Sequence, residues 1–132
     1  MALQLLVVTP ERKVVEAEAD EVELPGAEGY LGILPGHTPL ITLLKTGVLS
    51  FRRSGRSQAF ALSAGFAEIS GDRVSVLADL AESGKEIDAG SAERERAKAE
   101  EEMKTAGVDT LDSIRARLEL AEARLSVARR PS

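Results

Sequence analysis

Cysteine and tryptophan are absent from this 132-residue chain, and histidine occurs once, at His37. Without cysteine there is no disulfide framework, thiolate metal site or cysteine nucleophile, which suits a reducing compartment. One histidine excludes a multi-histidine metal site within a single chain. Basic residues are also scarce relative to acidic ones, 17 against 22, for a net charge of −5. No cationic surplus is left to follow a nucleic-acid backbone, so that partner class is set aside. No apolar run approaches the roughly 20 residues of a membrane span, so direct membrane insertion is not expected. The opening Met-Ala-Leu-Gln-Leu-Leu-Val-Val carries no basic leader and is interrupted at Gln4. It reads as a first strand rather than a signal peptide.

What the chain does hold is a dense run of turn formers between Leu24 and Gly47. Gly26, Gly29, Gly32, Gly36 and Gly47 alternate there with Pro25, Pro35 and Pro39. Glycine permits positive φ and close backbone approach, whereas proline fixes φ and removes a donor, so the run encodes a specific path of turns. Around it lie short alternating or apolar segments: Leu3–Val8, Lys13–Ala17, Asp20–Leu24, Tyr30–Leu34, Leu40–Leu44, Val48–Arg53, Gln58–Leu62, Phe66–Ser70 and Arg73–Ala78. Ser54-Gly55 and Ser70-Gly71-Asp72 read as hairpin turns between neighbours. So many short strands predict a sandwich or barrel rather than a parallel sheet with helical crossovers.

Composition changes near Ser83-Gly84. All four aromatics, Tyr30, Phe51, Phe60 and Phe66, precede it, whereas 21 of the 48 residues from Lys85 onward are charged. Two units are expected, residues 1–84 as an all-β domain and 85–132 as a helical hairpin. Asp88 or Ser91 caps a first helix that runs to about Thr105 and stops at Ala106-Gly107. Asp109 is a candidate cap for the second, with Asp112 where a capping box would place it. Leu111, Ile114, Leu118, Ala121, Leu125 and Ala128 then form one stripe, widened by Leu120, Ala123 and Val127 toward a second contact. Pro131 ends the element. The first helix offers mainly Ala89, Ala92, Ala97, Ala99 and Met103, too thin a face to stand alone. Short helices of this kind need a neighbour, and their position should be easy to switch.

Catalysis finds no inventory here. A triad around His37 has no local support, and a polar residue fixing a loop or subunit contact is the simpler reading. Lys45-Thr46 lacks the glycine pattern of a phosphate loop, and Gly29, Gly32 and Gly36 fit no dinucleotide fingerprint. No catalytic residue, metal site or cofactor is assigned.

The positions Pro25, Gly26, Gly29, Gly32, Ile33, Pro35, Gly36, His37, Pro39 and Leu40 carry a resemblance. They match the pattern PG-x-x-G-x-x-G-[IV]-x-PGH-x-P-L of the epsilon subunit of rotary F-type ATP synthases, and the likeness extends over essentially the whole chain. The resemblance implies a β-sandwich followed by an antiparallel helical hairpin, in a central-stalk rotor subunit that is not itself an enzyme. It implies the gamma subunit of the stalk and the c-subunit ring as partners, with the catalytic alpha/beta head met by the C-terminal helices. The hairpin would restrain ATP hydrolysis in an extended state. The implied place is the cytoplasmic face of the bacterial plasma membrane, held there peripherally and coupled to proton flow.

By the same resemblance, Tyr30, Leu31, Gly32, His37 and Pro39 belong to the face presented to stalk and ring, although Tyr30 stands where an acidic or small polar residue is common. Some members bind ATP through an I/L-D-x-x-R-A motif plus two arginines of the second helix. Here Ile87, Asp88, Ala92 and Arg124 match, while Ser91 and Leu120 stand where arginines belong. Two missing cations remove charge-assisted hydrogen bonds worth ~1.5–3 kcal/mol each, so ATP is expected to bind weakly or not at all. Asp88 is then simply a helix cap. Arg115, Arg117, Arg124, Arg129 and Arg130 read either as contacts to an acidic partner or as a solvated face paired with Asp112, Glu119 and Glu122, for example Arg115 with Glu119. The alternative to a rotor subunit is a freestanding sandwich module that dimerises through the stripe of its second helix.

Overall fold

A computed structural model describes residues 2–130. Ten strands come first: β1 Leu3–Val8, β2 Lys13–Ala19, β3 Glu21–Gly26, β4 Gly29–Ile33, β5 Leu40–Leu44, β6 Gly47–Arg53, β7 Arg56–Leu62, β8 Gly65–Ser70, β9 Arg73–Ala78 and β10 Ala81–Ser83. A single 3₁₀ turn, Gly84–Glu86, leads to α1 (Ala89–Met103) and α2 (Val108–Ala128). The strands hydrogen-bond in the order β10-β7-β6-β3-β5-β8-β9-β1-β2, with β4 on β3. Only β1–β9 is parallel among these pairings. One bridge, Gly26↔Leu44, joins the β10-β7-β6-β3-β4 half to the β5-β8-β9-β1-β2 half. The halves close as a sandwich over one core that draws on all ten strands, including Leu5, Leu24, Leu49, Leu62 and Ile69.

Strand periodicity explains which residues enter that core. Along β9, Val74, Val76 and Ala78 are buried while Arg73 and Leu77 face out, the period of two that a half-covered strand requires. β6 and β7 depart from it. Leu49 and Phe51 of β6 and Phe60 and Leu62 of β7 point inward, yet Val48 and Ala61 on the outer face are buried as well. Their cover is α2, whose Ala123 and Val127 close a second, smaller cluster with Val48 and Ala61. The widened side of the α2 stripe thus meets the sheet, and Ile114, Ala121 and Leu125 are also buried. α1 packs chiefly on α2, burying Ala92 and Ala99.

The turns follow their chemistry. Ser54 and Gly55 both have positive φ, 53° and 79°, the pair of left-handed residues that a type I′ hairpin needs. Several sequence expectations are corrected. β3 continues through Pro25 to Gly26 because it keeps its pairing with β4 there. β10 was not foreseen, since Ala-Glu-Ser is too short to show a period. Ala89 and Ala97 are exposed. At about 100° per residue, Ala97 lies roughly 140° around α1 from Ala92, off the stripe that faces α2. Asp88 caps α1, accepting from the Ser91 N–H at 3.1 Å, but α2 is capped by Gly107 rather than Asp109. The Gly107 carbonyl already accepts from the Thr110 and Leu111 N–H groups, which puts Asp109 inside the first turn, where its charge faces the positive helix end. Asp112 points into solvent, its side chain 97% exposed, so no capping box forms. The expectation at Pro131 lies outside the described residues.

Candidate functional site

Three regions collect the residues of interest. The first is β4 and the loop after it. Tyr30, Leu31 and Gly32 sit on β4, whereas His37 and Pro39 lie in the turn beyond the far end of that strand. The structure therefore does not gather all five at one spot. Leu31 packs against the core. Tyr30 is half exposed, but its hydroxyl accepts the Val48 N–H at 3.0 Å. The β3–β6 ladder ends at Glu23↔Ser50, and the Pro25 carbonyl is taken by the Lys45 N–H, so the phenol supplies Val48 with a partner that the ladder no longer offers. Gly47 makes room for it: a Cβ there would stand 2.8 Å from Pro25 Cβ and 2.9 Å from the Tyr30 hydroxyl. At the other end, the Gly36 N–H donates to Asp72 Oδ1 at 3.2 Å and His37 Nδ1–H to the Thr38 carbonyl at 2.6 Å. His37 is thus tied into its own loop.

The second region is a cavity of about 400 Å³ at the junction of hairpin and sandwich. Ile87, Asp88, Ala92 and Arg124 all line it, as do Ser91 and Leu120. The sequence motif is brought together around one space, with Glu82, Glu86 and Glu95 added, which sequence reasoning did not name, and Arg117, which it named only among the arginines of the second helix. Four carboxylates thus face two guanidiniums, and both cations are committed. Arg124 Nε is 2.6 Å from Glu82 Oε1, and Arg117 holds Glu95 and Glu102, each at 2.7 Å. Glu86 is paired with Arg12 at 2.6 Å. The backbone N–H of Ser83, then its hydroxyl and the Arg12 charge, keep the Glu86 carboxyl below its ordinary value. Both guanidiniums that line this cavity thus have a carboxylate partner within the chain.

Of the arginines expected to meet a partner, Arg117 and Arg124 are therefore spent inside the chain in this state. Arg115 and Arg129 are more exposed and reach Asp112 and Glu93 only at 3.9 and 3.8 Å. The pairing of Arg115 is with Asp112, one turn toward the N-terminus, in place of the expected Glu119.

The third region was missed by sequence reasoning. Ile41 and Leu43 on β5, Phe66 on β8 and Leu77 on β9 stand 71%, 69%, 44% and 42% exposed. Leu43, Phe66, Leu77 and Val8 are direct cross-strand partners in one row. They form an apolar ridge on the outer face of the β5-β8-β9-β1 half, while the outer face of β6-β7 carries the hairpin. The available signal was β5 itself: Leu-Ile-Thr-Leu-Leu is apolar on both of its faces, which a strand facing water on one side is not.

Residues 2–84 match the model of the ATP synthase delta/epsilon chain β-sandwich domain. The chain belongs to the ATP synthase epsilon chain family. An ATP synthase epsilon chain of Solibacter usitatus is 43% identical over 128 residues, covering 96% of this chain and 95% of that one. The one from Herpetosiphon aurantiacus is 44% identical over 131 residues, covering 98% and 96%. A chain of the Euglena gracilis mitochondrial ATP synthase superposes with a TM-score of 0.84 over 96% of this chain and 81% of its own, at 20% identity. One from the central stalk and c-ring of the Tetrahymena thermophila enzyme gives 0.62 over 96% of both, at 15%. At such identities the likeness speaks for the fold, a sandwich with two trailing helices. No helix among the described residues is long and apolar enough to cross a membrane.

Proposed function

We propose that this epsilon chain is a non-catalytic rotor subunit of a proton-translocating F-type ATP synthase. Its sandwich, residues 1–84, seats on the gamma subunit of the central stalk and on the c-ring, and its hairpin, residues 85–132, restrains ATP hydrolysis when it reaches the catalytic alpha/beta head. The assembly lies at the cytoplasmic face of the bacterial plasma membrane.

The observation that carries this reading is the asymmetry of the sandwich. One outer face is covered by the chain's own hairpin, and the other bears the uncovered row of Leu43, Phe66 and Leu77 with Ile41 beside it. Contiguous exposed apolar surface of this kind marks a protein contact. The gamma subunit is the occupant this reading assigns to it, and Tyr30 and His37 remain candidates for stalk and ring at the ends of β4. The freestanding dimer is less favoured, because the α2 stripe is already filled by α1 and the sheet. ATP is no natural controller of the hairpin, since both cavity arginines are internally paired; occupancy of the head or the proton-motive force suits better.

The test is ATP hydrolysis by a catalytic head stripped of its own epsilon subunit, with the full chain or a truncation after Gly84 added. The main core contains no hairpin residue, so the truncated sandwich keeps it. Inhibition by the full chain alone supports the brake. Equal rates, with both forms bound, would leave a coupling subunit whose helices restrain nothing.

A further inference from the structure

Little apolar surface holds the hairpin on the sandwich. Val48 and Ala61 meet Ala123 and Val127, with Ala59 and Ile87 at the margin. Half of that central quartet is alanine, and small side chains remove little area from water. A polar contact at its rim therefore carries a larger share of the docking than it would beside a full core. Among the described residues, one ion pair joins a helix to a strand: Arg124 of α2 to Glu82 of β10, 2.6 Å apart, with side chains only 28% and 24% exposed. The neighbouring charges of the cavity are matched elsewhere, Glu86 with Arg12, Glu95 with Arg117 and Asp88 with the start of α1. Glu82 is thus the anion that answers Arg124.

We propose that the Glu82–Arg124 pair is the latch that holds the hairpin down, and that its strength sets the ratio of docked to undocked hairpin. The inference rests on the reading that the hairpin moves. Arg117 plays a different part: its partners Glu95 and Glu102 lie on α1, so it ties helix to helix and travels with the hairpin. Release from the sheet breaks the Glu82 contact and leaves the helix pair intact. A charge-assisted contact that is partly shielded from water resists salt better than a surface pair, but it is still weakened at high ionic strength.

The full chain contains no cysteine, so Ser57→Cys and Ala97→Cys, both at exposed positions, accept one spin label on the sandwich and one on α1. The distance distribution between them reads the two states. Glu82→Gln and Arg124→Gln are each expected to raise the undocked-to-docked ratio about tenfold. The exchange Glu82→Arg with Arg124→Glu restores it, and added salt shifts the unaltered chain more than the Glu82→Gln chain, which among the described residues keeps only the exposed Arg12–Glu86 pair between sandwich and hairpin. Val127→Asp, which spoils the apolar contact instead, separates the two ideas. If it shifts the distribution and Glu82→Gln does not, the latch is overturned. If Val127→Asp leaves the distribution unchanged, the hairpin does not move and the reading beneath the latch falls with it.

Discussion

Tyr30 shows how one side chain can be read correctly for its type and incompletely for its work. Its position in the glycine-rich run pointed to an interface, and half of it does face solvent. Its hydroxyl also accepts the Val48 N–H, 18 positions away in sequence, where the β3–β6 ladder has ended. Nothing local in the sequence couples those two residues, so only the fold reveals the bond. Tyr30→Phe is expected to cost about 0.5–1.5 kcal/mol in denaturant unfolding, the usual worth of one such bond. Gly65 is a sharper case. A Cβ there would stand 2.0 Å from the Leu77 carbonyl oxygen, and backbone cannot yield as a side-chain tip does. Gly65→Ala should destabilise the sandwich by about 1–3 kcal/mol or more, again read from the unfolding midpoint. Gly47, which sequence reading assigned only to turn formation, is needed for the same steric reason against Pro25 and the phenol.

The strands were legible as elements because they are short alternating or apolar runs between turn signals: Leu3–Val8, Leu40–Leu44 and Arg73–Ala78 run between the same residues in sequence and structure. β10 was not, because three residues hold no period and its partner β7 is remote. The helices were legible as well, and so was the second contact of α2 through Ala123 and Val127. What the sequence could not show is how the arginines choose partners, since Arg117 and Arg124 have no acid three or four positions away on α2 and their partners lie on other elements. Arg117 settles on Glu95 and Glu102 of α1. Its hydrogen bonds, then its charge, hold the Glu102 carboxyl below the ordinary 4.5; Arg96 does the same for Glu93. A depressed carboxyl contributes stability that is complete above the unfolded value and lost as pH falls through the folded one. The α1–α2 hairpin should therefore weaken as pH is lowered below about 4.5, with helical circular dichroism falling there. Arg117→Gln should remove the Glu102 share of that dependence and leave the share that Glu93 owes to Arg96.

For the whole molecule, the deciding feature is that the two outer faces of the sandwich differ. The β6-β7 face accepts the chain's own α2, with Val48 and Ala61 matched to small residues on the helix. The β5-β8-β9 face keeps Ile41, Leu43, Phe66 and Leu77 in the open. Sequence reading found the family through glycine and proline positions and still did not name this ridge, because its members lie on four strands and become neighbours only through cross-strand register. Charge at the ridge should abolish assembly without harming the fold, since these side chains contribute little to the core. The decisive measurement is binding of the full chain to a catalytic head that retains its central stalk but lacks its own epsilon subunit, with and without Leu43→Asp and Phe66→Asp. The double variant should unfold at the normal denaturant concentration yet bind about 30-fold more weakly or worse. Binding equal to that of the unaltered chain would mean that the stalk is met by some other surface, and the central reading of the sandwich would be wrong.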